Sequence, residues 1–393
     1  MKKILCTSLA VVMVLALLAG CGNTGGGGGG GSDEKVLKIG VLEPLTGENG
    51  GGGLQELDGI RYARSLRPTV TVGGEEYTIQ LVERDNKTDR TESVTAAQSI
   101  VSENVACALG TFGSATAIAA APVFEEAQIP ILGASCTNPQ VTIGNEYYFR
   151  ICFLDPFQGT VMANYAWQQG YTKVAVITQL GDDYSAGLGD FFAKAFVDLG
   201  GEIVSNEVFQ TGATDFKAIL TNVKAADPEF IFAPSSSTTA PMIIMQAREL
   251  GITVGIGGGD TWDNSTIYAN AGADADGVVY STFFAEGDDS PLAAAFVSGF
   301  KDYLASDGQS DSLSAFSALG FDVYNMMLDA IEDADSIESA DIHAALKALQ
   351  TEGVTGKVSF DDNGDAIKDM AFIMVVQDSV ANFLKTVTIA EIS

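Results

Sequence analysis

Ser114, Ser135 and Thr137 lie in two loops that each follow a short apolar run bounded by glycine. The first loop reads Thr111-Phe112-Gly113-Ser114-Ala115-Thr116 and leads into an Ala-rich helical pattern. Ser114 therefore opens a helix, and its hydroxyl stands beside the free N–H groups of a first turn. The second loop reads Ser135-Cys136-Thr137-Asn138-Pro139. Two hydroxyl-bearing loops converging on a helix N-terminus make a site for a carboxylate or another anion. A plainer reading has Ser114 and Thr116 only capping their helix, but the matching second loop favours a site. A ligand carrying an ammonium as well needs an acid close by. Asp260 is the candidate, since it ends a Gly-rich run, Ile252 to Gly259, that permits close backbone approach. A turn or N-cap aspartate is its plainer role. Tyr184 and Trp262 are candidate aromatic walls, against core or helix-start positions.

Other chemistries lack their residues. His343 is the only histidine and falls on a polar helical pattern beside Asp341, where a solvated surface position is expected, which argues against His-based triads and His metal sites. Gly133-Ala134-Ser135-Cys136-Thr137 approaches a nucleophile elbow but lacks the final glycine. Gly255 to Asp260 misses the dinucleotide fingerprint, with Asp260 in the last glycine place, and has no Gly-Lys-Ser/Thr. Asp361-Asp362-Asn363-Gly364-Asp365 hints at a calcium loop, yet Ala366 stands where that loop needs glycine, so a β-turn is expected. What remains is binding rather than catalysis, with no cofactor called for.

The elements that position these residues alternate. Val36–Leu42 reads as a strand, followed by the loop Glu43–Gly47, and a Gly-rich stretch, Gly50–Gly53, leads into a helix around Leu54 to Leu66. A strand at Tyr77–Glu83, a helix at Thr91–Glu103, the Val105 and Ile129 strands and the run Tyr147–Phe153 complete a first block. The pattern restarts at Asp155, with strands at Lys173–Thr178, Glu202–Phe209, Glu229–Pro234, Ile252–Gly259 and Gly277–Ser281. Three helices then run without intervening strands, near 292–305, 312–334 and 340–349, and are expected to return and cover the first sheet. Val358–Phe360 and Met370–Val376 supply late strands. This predicts an α/β fold of two doubly wound parallel-sheet lobes joined by hinge crossovers, with strand-end loops facing a cleft. The expected lobes are 36–154 plus 284–357 and 155–283 plus 358–393. Two independent domains in series would leave the late helices nothing to pack on.

Composition bounds the partners. The 393 residues suffice for two cores, and the formal charge is −30, or −32 once Lys2 and Lys3 leave with a leader. Such a surface repels a phosphate backbone, which excludes nucleic acid. Lys2 and Lys3 form a basic n-region before the apolar run Ile4–Leu18, short for a membrane span, which ends Leu18-Ala19-Gly20-Cys21. That ending resembles the bacterial lipobox, which implies cleavage after residue 20 and lipid on Cys21. Residues 21–35, rich in glycine, read as a flexible tether reaching about 20 Å. Cys107 and Cys152 read as small buried hydrophobes; with Cys136 they are three, so at most one disulfide could form.

Over nearly all of its mature length the chain resembles the branched-chain amino acid-binding proteins of ABC importers, of type I periplasmic-binding fold. The residues that carry this are Ile39-Gly40-Val41-Leu42-Glu43-Pro44-Leu45-Thr46-Gly47, Gly113-Ser114-Ala115-Thr116, Ser135-Cys136-Thr137-Asn138-Pro139, Gly181-Asp182-Asp183-Tyr184-Ser185-Ala186-Gly187 and Gly257-Gly258-Gly259-Asp260. The resemblance implies that Ser114, Ser135 and Thr137 hold an α-carboxylate, that Tyr184 closes over the ligand and that Asp260 holds the ammonium. It departs from the family at two pocket aromatics, one falling in Gly50–Gly53 and one replaced by Ser236 or Ser237, which leaves a roomier, more polar pocket. The implied protein is a monomeric, lipid-anchored receptor on the outer face of the bacterial membrane, handing its solute to ABC permease subunits. The alternative is a sensing component for an amide, urea-like or aromatic-acid ligand, feeding a signalling partner.

Overall fold

The computed structural model describes residues 35–287, 290–306 and 313–392; the leader, Cys21 and the tether before Lys35 lie outside the described residues. The chain begins β1 (Lys35–Glu43), α1 (Gly50–Leu66), β2 (Thr69–Val72), β3 (Glu75–Asp85), α2 (Arg90–Ser102), β4 (Cys107–Leu109), α3 (Ser114–Ala127), β5 (Ile131–Gly133) and β6 (Tyr148–Arg150). These strands form one sheet in the order β2-β3-β1-β4-β5-β6, parallel except for β2. β1 is central because Ile39 to Glu43 is buried without a break, as a strand covered on both faces must be.

A second run follows: α4 (Asp155–Gln168), β7 (Lys173–Leu180), α5 (Asp183–Asp198), β8 (Glu202–Gln210), α6 (Lys217–Ala225), β9 (Phe230–Phe232), α7 (Ala240–Glu249), β10 (Gly255–Gly258), α8 (Ser265–Ala271) and β11 (Val279–Thr282). The chain then runs through α9 (Pro291–Ser306), α10 (Ala315–Ala334), α11 (Ser339–Ala348), the hairpin of β12 (Gln350–Gly353) and β13 (Gly356–Ser359), and the antiparallel pair β14 (Met370–Gln377) and β15 (Val380–Thr388). The second sheet has the order β15-β14-β11-β10-β9-β7-β8. As expected, α10 returns to the first sheet and packs against α1. The packing is close enough that a Cβ at Gly320 would stand 2.0 Å from Glu56 O, and one at Gly59 2.0 Å from Ser317 O.

Three features differ from the sequence reading. Gly50–Gly53, expected to lead into a helix at Leu54, is itself the first turn of α1. A Cβ at Gly52 would overlap the Phe112 ring at 2.2 Å, and one at Gly53 would meet Pro44 O at 2.1 Å, so glycine serves close packing there. β2, β12 and β15 are additional short or edge strands whose patterns carry little burial signal. His343 is half-buried rather than solvated: its ring stacks on Tyr147 at 4.2 Å, with Nε2 2.9 Å from Glu146 O. The Asp361–Asp365 segment is a turn, with Gly364 N donating to Asp361 O at 3.1 Å. Its Asp365 is the counter-ion of the fully buried Arg150, which donates from Nε at 2.6 Å. That pair joins the end of β6 to the segment before β14.

Candidate functional site

A cavity of about 340 Å³ lies where the carboxyl ends of the two sheets meet. From the first sheet it takes Phe112 and Gly113 after β4, the first turn of α3, and Ser135 after β5. From the second it takes Gln179 at the end of β7, Tyr184 on α5, Ser236 after β9, and Asp260 after β10. Parallel strands place their ends together, so residues over a hundred positions apart share one wall.

Asp260 is 1 % exposed and its Oδ1 accepts from Tyr184 OH at 2.9 Å and from Gln158 Nε2 at 2.8 Å. Burial pushes its carboxyl up to about 7, against the pull of these two donors. Gly259 permits this approach, since a Cβ there would stand 2.2 Å from the Tyr184 hydroxyl. On the opposite wall, α3 starts after Gly113, which has φ of 90° and offers no capping side chain, and its first turn holds no acid. The N–H groups of that turn are thus available to an anion.

Two further carboxyls stand behind Ser135. Glu56 of α1 accepts the Ser135 Oγ–H, and Glu43, at the end of β1, accepts from Phe112 N at 2.7 Å. Both acids are fully buried and stand close enough to influence each other's titration. Burial pushes Glu56 up to about 8 and Glu43 well above the carboxylate range. A shared proton lets them sit together. Asp155, at the start of α4, is also buried and pushed well up by burial.

The structure brings Ser135, Tyr184, Ser236 and Asp260 to the cavity; Ser114, Thr137, Ser237 and Trp262 do not line it. The Ser114 Oγ accepts from Asn138 N at 3.0 Å, tying the two hydroxyl loops together just behind the wall. Thr137 is fully buried, its hydroxyl beside the Asp155 carboxyl, whose proton affinity it lowers. Trp262 is a core residue: it is fully buried against Gly258, and its Nε1 donates to Ser235 O at 3.2 Å. The Ser135 hydroxyl proton is committed to Glu56, so this hydroxyl faces the cavity as an acceptor. Sequence reasoning missed Glu43, Glu56, Gln158 and Gln179. Glu43 and Gln179 carry a signal, a polar residue at the end of an apolar strand, whereas Glu56 is one acid inside a helix. Cys107, Cys136 and Cys152 are buried and free. Among the described residues no group of three His, Cys, Asp or Glu could hold a metal ion.

The two halves touch across the mouth. Glu48 accepts from Gln179 Nε2 and from Gly212 N, each at 2.9 Å. Arg90 pairs with Asp183 at 2.5 Å, and Asn138 Nδ2 donates to Asp183 O at 2.8 Å.

Two sheets with a polar cavity between their strand ends define a two-lobed binding protein, and the comparisons agree. The chain belongs to the periplasmic binding protein family, which matches residues 36–379. It is similar to a leucine-binding protein of Thermotoga maritima, with a TM-score of 0.84 and 33% identity over 90% of this chain and 99% of the other. It is also similar to the branched-chain amino acid transporter substrate-binding protein of Streptococcus pneumoniae in complex with isoleucine, at a TM-score of 0.82 and 28% identity, covering 90% and 100% of the two chains. An amino acid binding protein of Pseudomonas aeruginosa is 28% identical over 337 residues, 83% of this chain and 86% of that one. These relatives are solute-binding proteins, and no helix among the described residues is long and apolar enough to cross a membrane.

Proposed function

We propose that this chain is the extracytoplasmic solute-binding component of an ABC importer and captures an α-amino acid or a closely related amphoteric solute. The observation that carries this is Asp260, a buried acid held by two donors and facing a cavity whose other wall is an uncapped helix start. The acid suits an ammonium, and the first turn of α3 suits a carboxylate. Kinship favours an aliphatic side chain. Phe112 fills the space beside Gly52, whereas Ser236, in place of an aromatic wall, leaves room for a more polar one.

Closure supplies the affinity. Contacts to a ligand from both walls exist only when the lobes, 36–154 with 284–357 and 155–283 with 358–393, come together, so ligand shifts the population towards the closed form. The closed form is what a membrane permease would recognise. Lipid on Cys21 and the tether after it would hold the folded part at the outer face of the membrane, and the chain would act as a monomer without catalytic activity. Asp260→Asn tests the reading, with calorimetry as readout. Loss of the ammonium's charge partner is expected to weaken the tightest amino-acid ligand by about 2–5 kcal/mol with the fold retained. Unchanged affinity would remove Asp260 from the site.

A further inference from the structure

The cavity is unevenly charged. Glu48, Asp89, Asp182 and Asp260 border it, against a single base among the described lining residues, Arg90, which Asp183 already pairs. The acids fall into two groups. Asp260 bonds to Gln158 and Tyr184, whereas Glu48 bonds to Gln179 and Gly212 across the mouth. Asp182 uses Oδ1 to cap α5.

Gln179 is the second observation. It is 3% exposed, lines the cavity, and its Nε2 donates to Glu48 at 2.9 Å and to Thr211 Oγ1 at 3.1 Å. The carboxylate of Glu48 fixes which way the amide faces, because it needs a donor. That leaves Gln179 Oε1 buried with no partner among the described residues. The other lining side-chain atom in that condition is Asn49 Oδ1. Both are carbonyl oxygens, so among the lining side chains the unmet demand is for donors. An aliphatic side chain would leave these acceptors unpaired, whereas an ammonium brings three N–H groups and a positive charge.

We propose that the cleft selects a dibasic α-amino acid of the lysine or ornithine class, its side-chain ammonium received by Glu48, Asp182 and the carbonyl oxygen of Gln179. This rests on the amino-acid reading above, with Asp260 taking the α-ammonium, and adds a second cation site at Glu48 and Asp182. Burial first, and then the neighbouring charges of Asp183 and Glu48, push Asp182 up to about 6.

Calorimetric titration of the chain at pH 8 with L-lysine, L-ornithine, L-norleucine and L-leucine tests this. Lysine or ornithine is expected to bind at least about tenfold more tightly than norleucine, a chain of similar length without the second charge. Glu48→Gln keeps oxygen for Gly212 N and removes the charge; it should cut the lysine-over-norleucine ratio about fivefold or more. Should that variant unfold, added salt on the unaltered chain must weaken lysine more than norleucine. Norleucine or leucine binding as tightly as both dibasic ligands, or a ratio indifferent to Glu48→Gln and to salt, would overturn the second cation site while leaving the amino-acid reading intact. If no amino acid binds, both fall.

Discussion

Asp260 and Glu56 are acids held near or above neutrality by burial, and each makes a prediction of opposite kind. An ammonium prefers the ionised form of Asp260, whose carboxyl is pushed up to about 7. Ligand binding should therefore release a proton, and affinity should rise between about pH 6 and pH 8, by roughly tenfold. Calorimetry across that range in two buffers of different ionisation enthalpy reads both. Glu56 concerns stability. Its folded value of about 8 stands above the ordinary 4.5, so the folded chain holds the extra proton between those values. Its contribution is complete at and below pH 4.5 and is lost as pH rises through 8. Glu56→Gln, a neutral mimic of the protonated acid, should flatten the fall in urea midpoint between pH 6 and pH 9. Asp260 was legible in the sequence because a Gly-rich strand end announces close backbone approach. Glu56 was not, since its partners, Glu43 and Ser135, are brought to it only by the return of α1 over the sheet.

At the scale of elements, α1 and its neighbours decide the shape of the first wall. Glycines let α1 lie against α10 and against the Pro44 and Phe112 loops. Gly320→Ala places a methyl 2.0 Å from Glu56 O, a backbone atom that cannot yield without moving the helix that carries Glu56. It should cost about 1–3 kcal/mol or more, read as a lower urea midpoint, and should weaken ligand binding as well. Such contacts explain what pattern alone misses. Gly50–Gly53 reads as a lead-in to the helix and not as part of it because helix interiors disfavour glycine, yet the crowding of Pro44 and Phe112 reverses that preference. The strands with unbroken apolar runs, β1, β7 and β9, were legible because two covered faces leave no alternation to hide them. Edge strands such as β15 are half-exposed and were not.

For the whole molecule, the order of the two sheets and the return of α10 to α1 put both sets of strand ends around one cavity. The late helices told as much in sequence, having no strands of their own to cover. The Arg150–Asp365 pair told nothing: a buried arginine is unreadable until Asp365, 215 positions away, stands beside it. The central claim is that facing walls hold the two charges of one amino acid. A crystal structure of the chain with its tightest amino-acid ligand tests it most directly. The α-ammonium nitrogen should lie within hydrogen-bond distance of Asp260, with the carboxylate against the first turn of α3. A ligand turned the other way, with its carboxylate at Asp260, or seated outside this cavity, would contradict it.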